Sequence, residues 1–389
     1  MKENKLSSIL CLEDFESRAR RHLPKPIFGY IQRGAERERS MRYNRDAFDR
    51  YRFVHRALID VSHVSTRTTL FGTDYAAPVG IAPMGISALS TYRGDIVLAR
   101  AASQHNVPMI MSGSSLIPLE EVAAAGGKWF QAYLPGDMDK MWALLDRVGG
   151  AGFENLVITV DHPTSPSKEN YKRQGFTSPL RPNLSLAWQG VSHPAWLFGT
   201  WLKTLHKHGV PHFENHYVTR GIPVLSKNVN RDFSGRSHFS WRHVEAIRER
   251  WKGRIVIKGI LHVDDAIQAR SAGVDGVILS NHGGRQIDGA VSPLSVLPSV
   301  VEAVGDMPVM VDSGFRRGTD VLTALALGAK FVFIGRPFNY AAACAGEAGV
   351  SHGIRLIGEE IRRNMALLGI TTIEDMDESR LYDVCKEYA

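Results

Sequence analysis

The stretch SNHGGRQIDG (280–289) places His282 three residues before Arg285 on a glycine-rich turn. An imidazole can accept a proton from a bound acid near neutral pH, and a guanidinium fork grips a carboxylate through two parallel hydrogen bonds. Asp161, which closes the apolar run LVITVD (156–161), is a candidate to orient that imidazole and stabilise its charged form. Each residue alone is more often structural; their joint placement at the ends of apolar runs argues for chemistry. Farther along, DSGFRRGTD (312–320) and GRP (335–337) set Arg316 and Arg336 beside glycine turns. Backbone N–H groups with an adjacent cation suit a phosphate. Lys258, in RIVIKG (254–259), can hold negative charge on a cofactor ring or bridge a loop carboxylate.

These residues need elements to bring them together. Eight short apolar runs recur: PVGIAP (78–83), VPMIMS (107–112), KWFQAY (128–133), LVITVD (156–161), RIVIKG (254–259), GVILSNH (276–282), PVMVDSG (308–314) and FVFIGRP (331–337). Each reads as a strand buried on both faces, and most gaps hold a helix-length segment such as 95–106 or 264–275. Eight β/α units predict a (β/α)8 TIM barrel in the α/β class, with a doubly wound sheet as the structural rival. Active sites of such barrels lie at the C-terminal strand ends. Here those ends carry Pro83-Met84-Gly85, Ser112, Gln131 with Tyr133, Thr159 with Asp161, Lys258, Ser280-Asn281-His282, Asp312 with Gly314, and Gly335-Arg336.

An N-terminal helical extension is expected, with Leu12, Phe15, Ala19 and Leu23 on one face before Pro24. The gap between the fourth and fifth strands is far longer than an ordinary βα loop. Residues 239–251 read as the regular helix before strand five, which leaves an insertion at about 162–238 within a single domain, 1–389. Its 184–210 stretch interleaves Trp188, Trp196, Trp201 and Phe198 with Lys203, His206, Lys207 and His208. That pattern suits a lid with a small core of its own, a peripheral membrane contact, or both.

The chain has 389 residues, is 44% hydrophobic, and carries a net charge of +7. This excludes disordered and collagen-like classes. Three cysteines, Cys11, Cys344 and Cys385, are too few and scattered for a disulfide framework or a zinc site, which predicts a reducing, cytoplasmic setting and no metal. No run has the length of a signal peptide core or a membrane-spanning helix. The positive charge is spread along the chain without a nucleic-acid motif, so no nucleic-acid partner is expected.

Taken in order on successive strands, SNHGGRQIDG, DSGFRRGTDVLTALALGA and FIGRP resemble the FMN-dependent L-2-hydroxy acid oxidising family, which includes glycolate oxidase, lactate oxidase, lactate and mandelate dehydrogenases and flavocytochrome b2. The resemblance runs from about Leu12 to Gly369 and implies FMN as cofactor, oxidation of a lactate- or mandelate-like acid to the 2-oxo acid, and a homotetramer. By the same resemblance His282 is the active-site base, Asp161 its partner, and Arg285 and Tyr30 the carboxylate contacts. Tyr133 meets the substrate hydroxyl and Lys258 sits near flavin N1 and O2. Ser112, Gln131 and Thr159 are similar to isoalloxazine contacts, and Pro83, Met84 and Gly85 run along the flavin face. Ser280 belongs with the cofactor-binding residues, and Asp312, Gly314, Arg316, Gly335 and Arg336 resemble the ribityl and phosphate site.

Two positions depart from the family pattern. Lys168 stands where a second arginine is usual, keeping the charge but not the fork. Ser114 stands where glycolate oxidase has tryptophan, leaving room for a substrate other than glycolate. Gly85 matches the residue common in the dehydrogenases, where oxidases tend to have alanine. With the aromatic, basic insertion, it points to quinone or another acceptor rather than oxygen, and to a peripheral place on the cytoplasmic membrane face.

Overall fold

The computed structural model describes residues 6–135, 137–216, 218–227 and 234–385. All eight apolar runs form strands, here β1 (Val79–Ile81), β2 (Ile110–Ser112), β3 (Trp129–Ala132), β4 (Asn155–Thr159), β5 (Arg254–Ile260), β6 (Gly276–Leu279), β7 (Val309–Val311) and β8 (Phe331–Ile334). They pair in parallel in the order β1-β8-β7-β6-β5-β4-β3-β2. A parallel bridge from Ile81 to Met109 joins the two ends, with Ile81 N donating to Pro108 O at 2.8 Å. The sheet therefore closes into a barrel, and the doubly wound alternative falls away.

Side chains that point inward fill the barrel. Trp129, Phe331, Phe333 and Met310 pack with Val157, Val256 and Ile278, all at most 1% exposed. The hairpin Thr68–Leu70/Thr73–Tyr75 plugs the N-terminal end, setting Phe71 against the Trp129 ring at 5.8 Å. Chemistry is left to the opposite end. Outside, β-branched and leucine faces of the strands are covered by amphipathic helices, among them Gly94–Gln104, Val263–Ser271 and Pro293–Val304. The segment Arg336–Leu368 is two helices meeting at a kink at Ala345 and Gly346.

At the N-terminus, Pro24 separates two helices, Asp14–His22 and Lys25–Gln32. Leu12, Phe15, Ala19 and Leu23 are buried as their spacing predicted. The insertion contains helices Glu169–Arg173 and Leu184–Val191, then a helical run from Pro194 to His208 with a π-helical middle, Leu197–Leu202. The helix before β5 spans Trp241–Arg250. Among the described residues no helix is long and apolar enough to cross a membrane.

Candidate active site

His282 stands just past β6 with a left-handed backbone (φ 58°), followed by Gly283 (φ 65°) and Gly284 (φ 75°). A side chain rarely adopts this conformation, and it persists only where its surroundings enforce it. Here the enforcement is visible. The His282 N–H donates to Ser280 Oγ (3.0 Å), while Asn281 and Asn44 exchange two amide hydrogen bonds at 2.7 and 2.8 Å. A Cβ on Gly284 would lie 2.8 Å from Met41 N, so glycine permits the loop to meet the N-terminal segment.

The His282 imidazole faces Asp161 from beyond β4, with Nδ1 at 3.0 and 3.2 Å from the two carboxylate oxygens. A carboxylate only accepts, so the proton of the pair sits on Nδ1, and Nε2 is left toward the Tyr133 hydroxyl at 3.4 Å. Burial would raise the Asp161 pKa, but His282, Lys258 and His162 outweigh it and hold the carboxyl below its ordinary range. Room for Asp161 comes from an irregularity in β5 at Gly259, where a Cβ would sit 2.6 Å from Asp161 Cβ.

Across the same cavity, of about 810 Å³, lies Arg285. Its Nη1 donates to Tyr30 O (2.7 Å), and its guanidinium stacks over the rings of Tyr30 (4.7 Å) and Tyr171 (5.1 Å). Phe176 packs on Tyr30 at 4.5 Å. Tyr30, Tyr133, Lys168, His282 and Arg285 all line this cavity. The wall thus offers a half-buried guanidinium, two phenols and an imidazole whose unprotonated nitrogen faces the Tyr133 hydroxyl, which can hold a carboxylate and take a proton beside it.

The remainder of the cavity fits a flat polar ring system ending in a phosphate. Pro83, Met84 and Gly85 form one side. Gln131 Nε2 and Thr159 Oγ1 are buried with no hydrogen-bond partner among the described residues, two polar atoms that a heterocycle's edge would satisfy. Lys258, 3% exposed, binds Asp312 (2.9 Å) and Ser280 Oγ (2.8 Å), so it does bridge a loop carboxylate while facing the cavity. Arg316 and Arg336 line the far end, with hydrogen bonds to the carbonyls of Phe315 and Ile31, both at 2.8 Å. Burial lowers both pKa values, and burial with the neighbouring Arg285 and Arg316 brings Arg336 to about 10. Two half-buried cations held by carbonyls are suited to a dianion. Gly335 caps the helix beginning at Arg336, and Gly314 (φ 96°) passes 2.7 Å from Asn44 O by the measure of an added Cβ.

Two expected cofactor contacts lie elsewhere. Ser112 is in register with Gln131 and donates to its Oε1 (3.2 Å), so the longer amide covers it and it does not line the cavity. Ser280 is wholly buried behind the wall, where its hydroxyl serves Lys258 and the His282 N–H. Asp161 likewise stands behind His282. In the opposite direction, Tyr171, Phe176, His162 and Arg236 join the cavity without having been foreseen. All four lie in the insertion, where no periodic pattern marks which side chains turn inward.

The profile of the FMN-dependent dehydrogenases matches residues 19–383. The chain belongs to that family. This FMN-dependent dehydrogenase is 40% identical over 378 residues to an L-lactate dehydrogenase of Caulobacter sp. (strain K31), covering 95% of this chain and 97% of the relative. An L-lactate dehydrogenase of Pectobacterium atrosepticum is 39% identical over 381 residues, covering 95% and 96%. Among solved structures, a monotopic membrane (S)-mandelate dehydrogenase superposes with TM-score 0.88 at 31% identity, covering 97% of this chain and all of that one. A mandelate oxidase superposes at 0.79 with 35% identity, covering 96% and 98%. The cofactor of the dehydrogenase is FMN, and the orphaned amide and hydroxyl with the paired arginines are the features of this chain that fit it.

Proposed function

We propose that the enzyme, as one catalytic unit over residues 1–389 with its insertion at 162–238, oxidises an L-2-hydroxy acid to the 2-oxo acid. The observation that carries this is the His282–Asp161 couple, whose free imidazole nitrogen shares a cavity with Tyr133 and Arg285. Arg285 and Tyr30 hold the substrate carboxylate, with Lys168 lining the same cavity. Tyr133 hydrogen-bonds the substrate hydroxyl, and Nε2 of His282 takes one of the two protons that leave the substrate. Asp161 keeps Nδ1 protonated and stabilises the imidazolium. FMN, when bound, accepts the two electrons. Pro83, Met84, Gly85, Gln131, Thr159 and Lys258 would line its ring, and Asp312, Gly314, Arg316, Gly335 and Arg336 its ribityl phosphate.

The electron acceptor in this reading is quinone or another carrier at the cytoplasmic membrane face, reached by a peripheral enzyme. Its support is the outer side of the insertion, where Leu184 (90% exposed), Trp188 (68%) and Phe198 (67%) stand beside Lys203 and Lys207. Trp196, by contrast, packs inward and donates to Leu89 O at 2.7 Å, so the same segment also covers the barrel. A homotetramer is expected from the family resemblance, and light scattering reads it.

L-lactate and then L-mandelate, added to the purified protein without oxygen, test the activity through flavin absorbance. Bleaching by either supports it, and retention of the oxidised spectrum with both counts against it. Slow recovery of colour in air, with fast recovery on a quinone, supports the acceptor. Fast recovery in air with release of hydrogen peroxide would instead make the enzyme an oxidase.

A further inference from the structure

The first part of the insertion reaches back to the substrate arginine. Tyr171 lies on the helix Glu169–Arg173, is 5% exposed, and donates its hydroxyl proton to Arg33 O at 3.2 Å. Beside it, Asn170 Nδ2 donates to Gly34 O (3.1 Å) and Glu36 O (2.6 Å). Gly29 permits this docking, since a Cβ there would lie 2.6 Å from Gln174 Cβ. The insertion is thereby fastened to the end of the helix Lys25–Gln32, the stretch whose carbonyls also hold Arg285.

Those carbonyls fix Arg285 by one nitrogen. Nη1 donates to Tyr30 O at 2.7 Å and, at 3.4 Å, to Ile31 O and Arg33 O. Among the described residues all its hydrogen bonds leave from Nη1, so the Nε–Nη2 edge keeps two donors side by side, the pair that a carboxylate takes in a bidentate contact. A planar group held at one nitrogen can still tilt, and the rings of Tyr30 and Tyr171 oppose that tilt. Their centres lie 4.7 and 5.1 Å from the guanidinium carbon and 5.9 Å from each other, with the planes at 45°. Three distances so nearly equal make the rings adjoining walls of a corner, with the guanidinium seated in it. Phe176 backs the Tyr30 wall at 4.5 Å, and the insertion supplies the second wall.

We infer that Tyr171 is a positioning residue for substrate binding: its ring, with that of Tyr30, orients Arg285 so that the unanchored guanidinium edge meets the substrate carboxylate. The helix Glu169–Arg173 is then part of the substrate site as well as of its cover. This rests on the role proposed above for Arg285. The ring acts through its π face, which attracts a cation, while the hydroxyl fixes where the ring stands. Losing one such face from a partly desolvated guanidinium costs about tenfold in affinity.

The test uses the FMN-loaded enzyme without oxygen and whichever of L-lactate and L-mandelate bleaches the parent's flavin. Tyr171→Leu removes the π face and keeps an apolar side chain. Its half-saturating substrate concentration should rise about tenfold while the limiting rate of flavin reduction stays within about threefold. The matching 2-oxo acid, titrated against the absorbance of the oxidised flavin, should lose affinity by the same factor without turnover. Tyr171→Phe keeps the ring and should stay within about twofold of the parent in both measurements. Stepwise fluorination of that phenylalanine ring keeps its volume and drains its π face, so affinity should fall with each fluorine. The fluorinated series decides the matter even where Tyr171→Leu does not fold, and the flavin spectrum of each variant reports its fold. Affinity unchanged across the series, a loss in Tyr171→Phe as large as in Tyr171→Leu, or a lower limiting rate at unchanged half-saturation overturns the assignment and leaves the activity standing. If neither acid bleaches the parent's flavin, the activity reading falls and takes this inference with it.

Discussion

Replacing Asp161 by asparagine keeps the shape of the side chain and removes one negative charge from a point 3.0 Å from His282 Nδ1. In the parent that charge favours the imidazolium formed when His282 takes the substrate's proton, and favours it over the neutral ring. At a charge separation of ~4 Å and an effective dielectric constant of ~20, the interaction is ~4 kcal/mol. At ~1.4 kcal/mol per decade this corresponds to about a thousandfold in the rate of flavin reduction. Asparagine can also turn its NH2 toward Nδ1, which forces the proton to Nε2 and closes the base to substrate. The assay is anaerobic stopped-flow absorbance at saturating L-lactate, with equilibrium dialysis to show that FMN still binds. The expected outcome is a slow variant with an intact flavin spectrum. A loss smaller than about threefold would refute the assignment of Asp161, because a charge that close to the base could not then be acting on the proton transfer.

His282→Ala should retain FMN and lose reduction by substrate; reduction at the parental rate would remove the base assignment. Arg285→Met should raise the half-saturating substrate concentration about 10–100-fold, as for the loss of a charged hydrogen-bonding partner, read from the substrate dependence of flavin bleaching. Arg316→Met should weaken FMN at least about tenfold in equilibrium dialysis, since one of two half-buried cations at the phosphate end is lost. Stability should also respond to pH through Asp95, which is wholly buried and whose pKa is pushed by that burial, with partial offset from Ser115, up to about 7. The folded chain then keeps a proton that the unfolded chain loses near pH 4, so this contribution is full below pH 4 and declines as pH rises to 7. The slope is at most ~1.4 kcal/mol per pH unit. Asp95→Asn should flatten that slope in denaturant titrations between pH 4.5 and 7, and an unchanged slope would exclude Asp95 as its source.

The barrel was legible because a strand buried on both faces leaves a continuous run of β-branched and aromatic residues, and each of the eight runs became a strand. The polar residues ending those runs were legible for the same reason, as interruptions that packing alone did not call for. His282, Asp161, Tyr133 and Arg285 do converge. Ser112 shows where this reading fails. Position at a strand end does not say which of two neighbours in register covers the other, and the longer Gln131 covers the serine. Arg236 shows a second failure. It is set apart from Tyr133 by more than a hundred residues and lies in a stretch without periodicity, so only the tertiary path of the insertion brings the guanidinium over the ring.

The carbonyls of Tyr30 and Ile31 that hold Arg285 and Arg336 lie 255 and 305 positions before them in the chain. Tyr51–Phe53 likewise waits for Leu381–Asp383 to form its ladder. On a ribosome, the helix Asp14–His22 therefore lacks its main partner, Arg336–Leu368, until nearly the whole barrel has been made. Contacts so distant in sequence form late and slowly. A nascent chain would carry the apolar faces of its early helices uncovered for most of its synthesis, a surface for chaperones. The clasp around the cofactor pocket would be the final piece to seat, so uptake of the yellow chromophore marks the moment at which the newly made protein is finished.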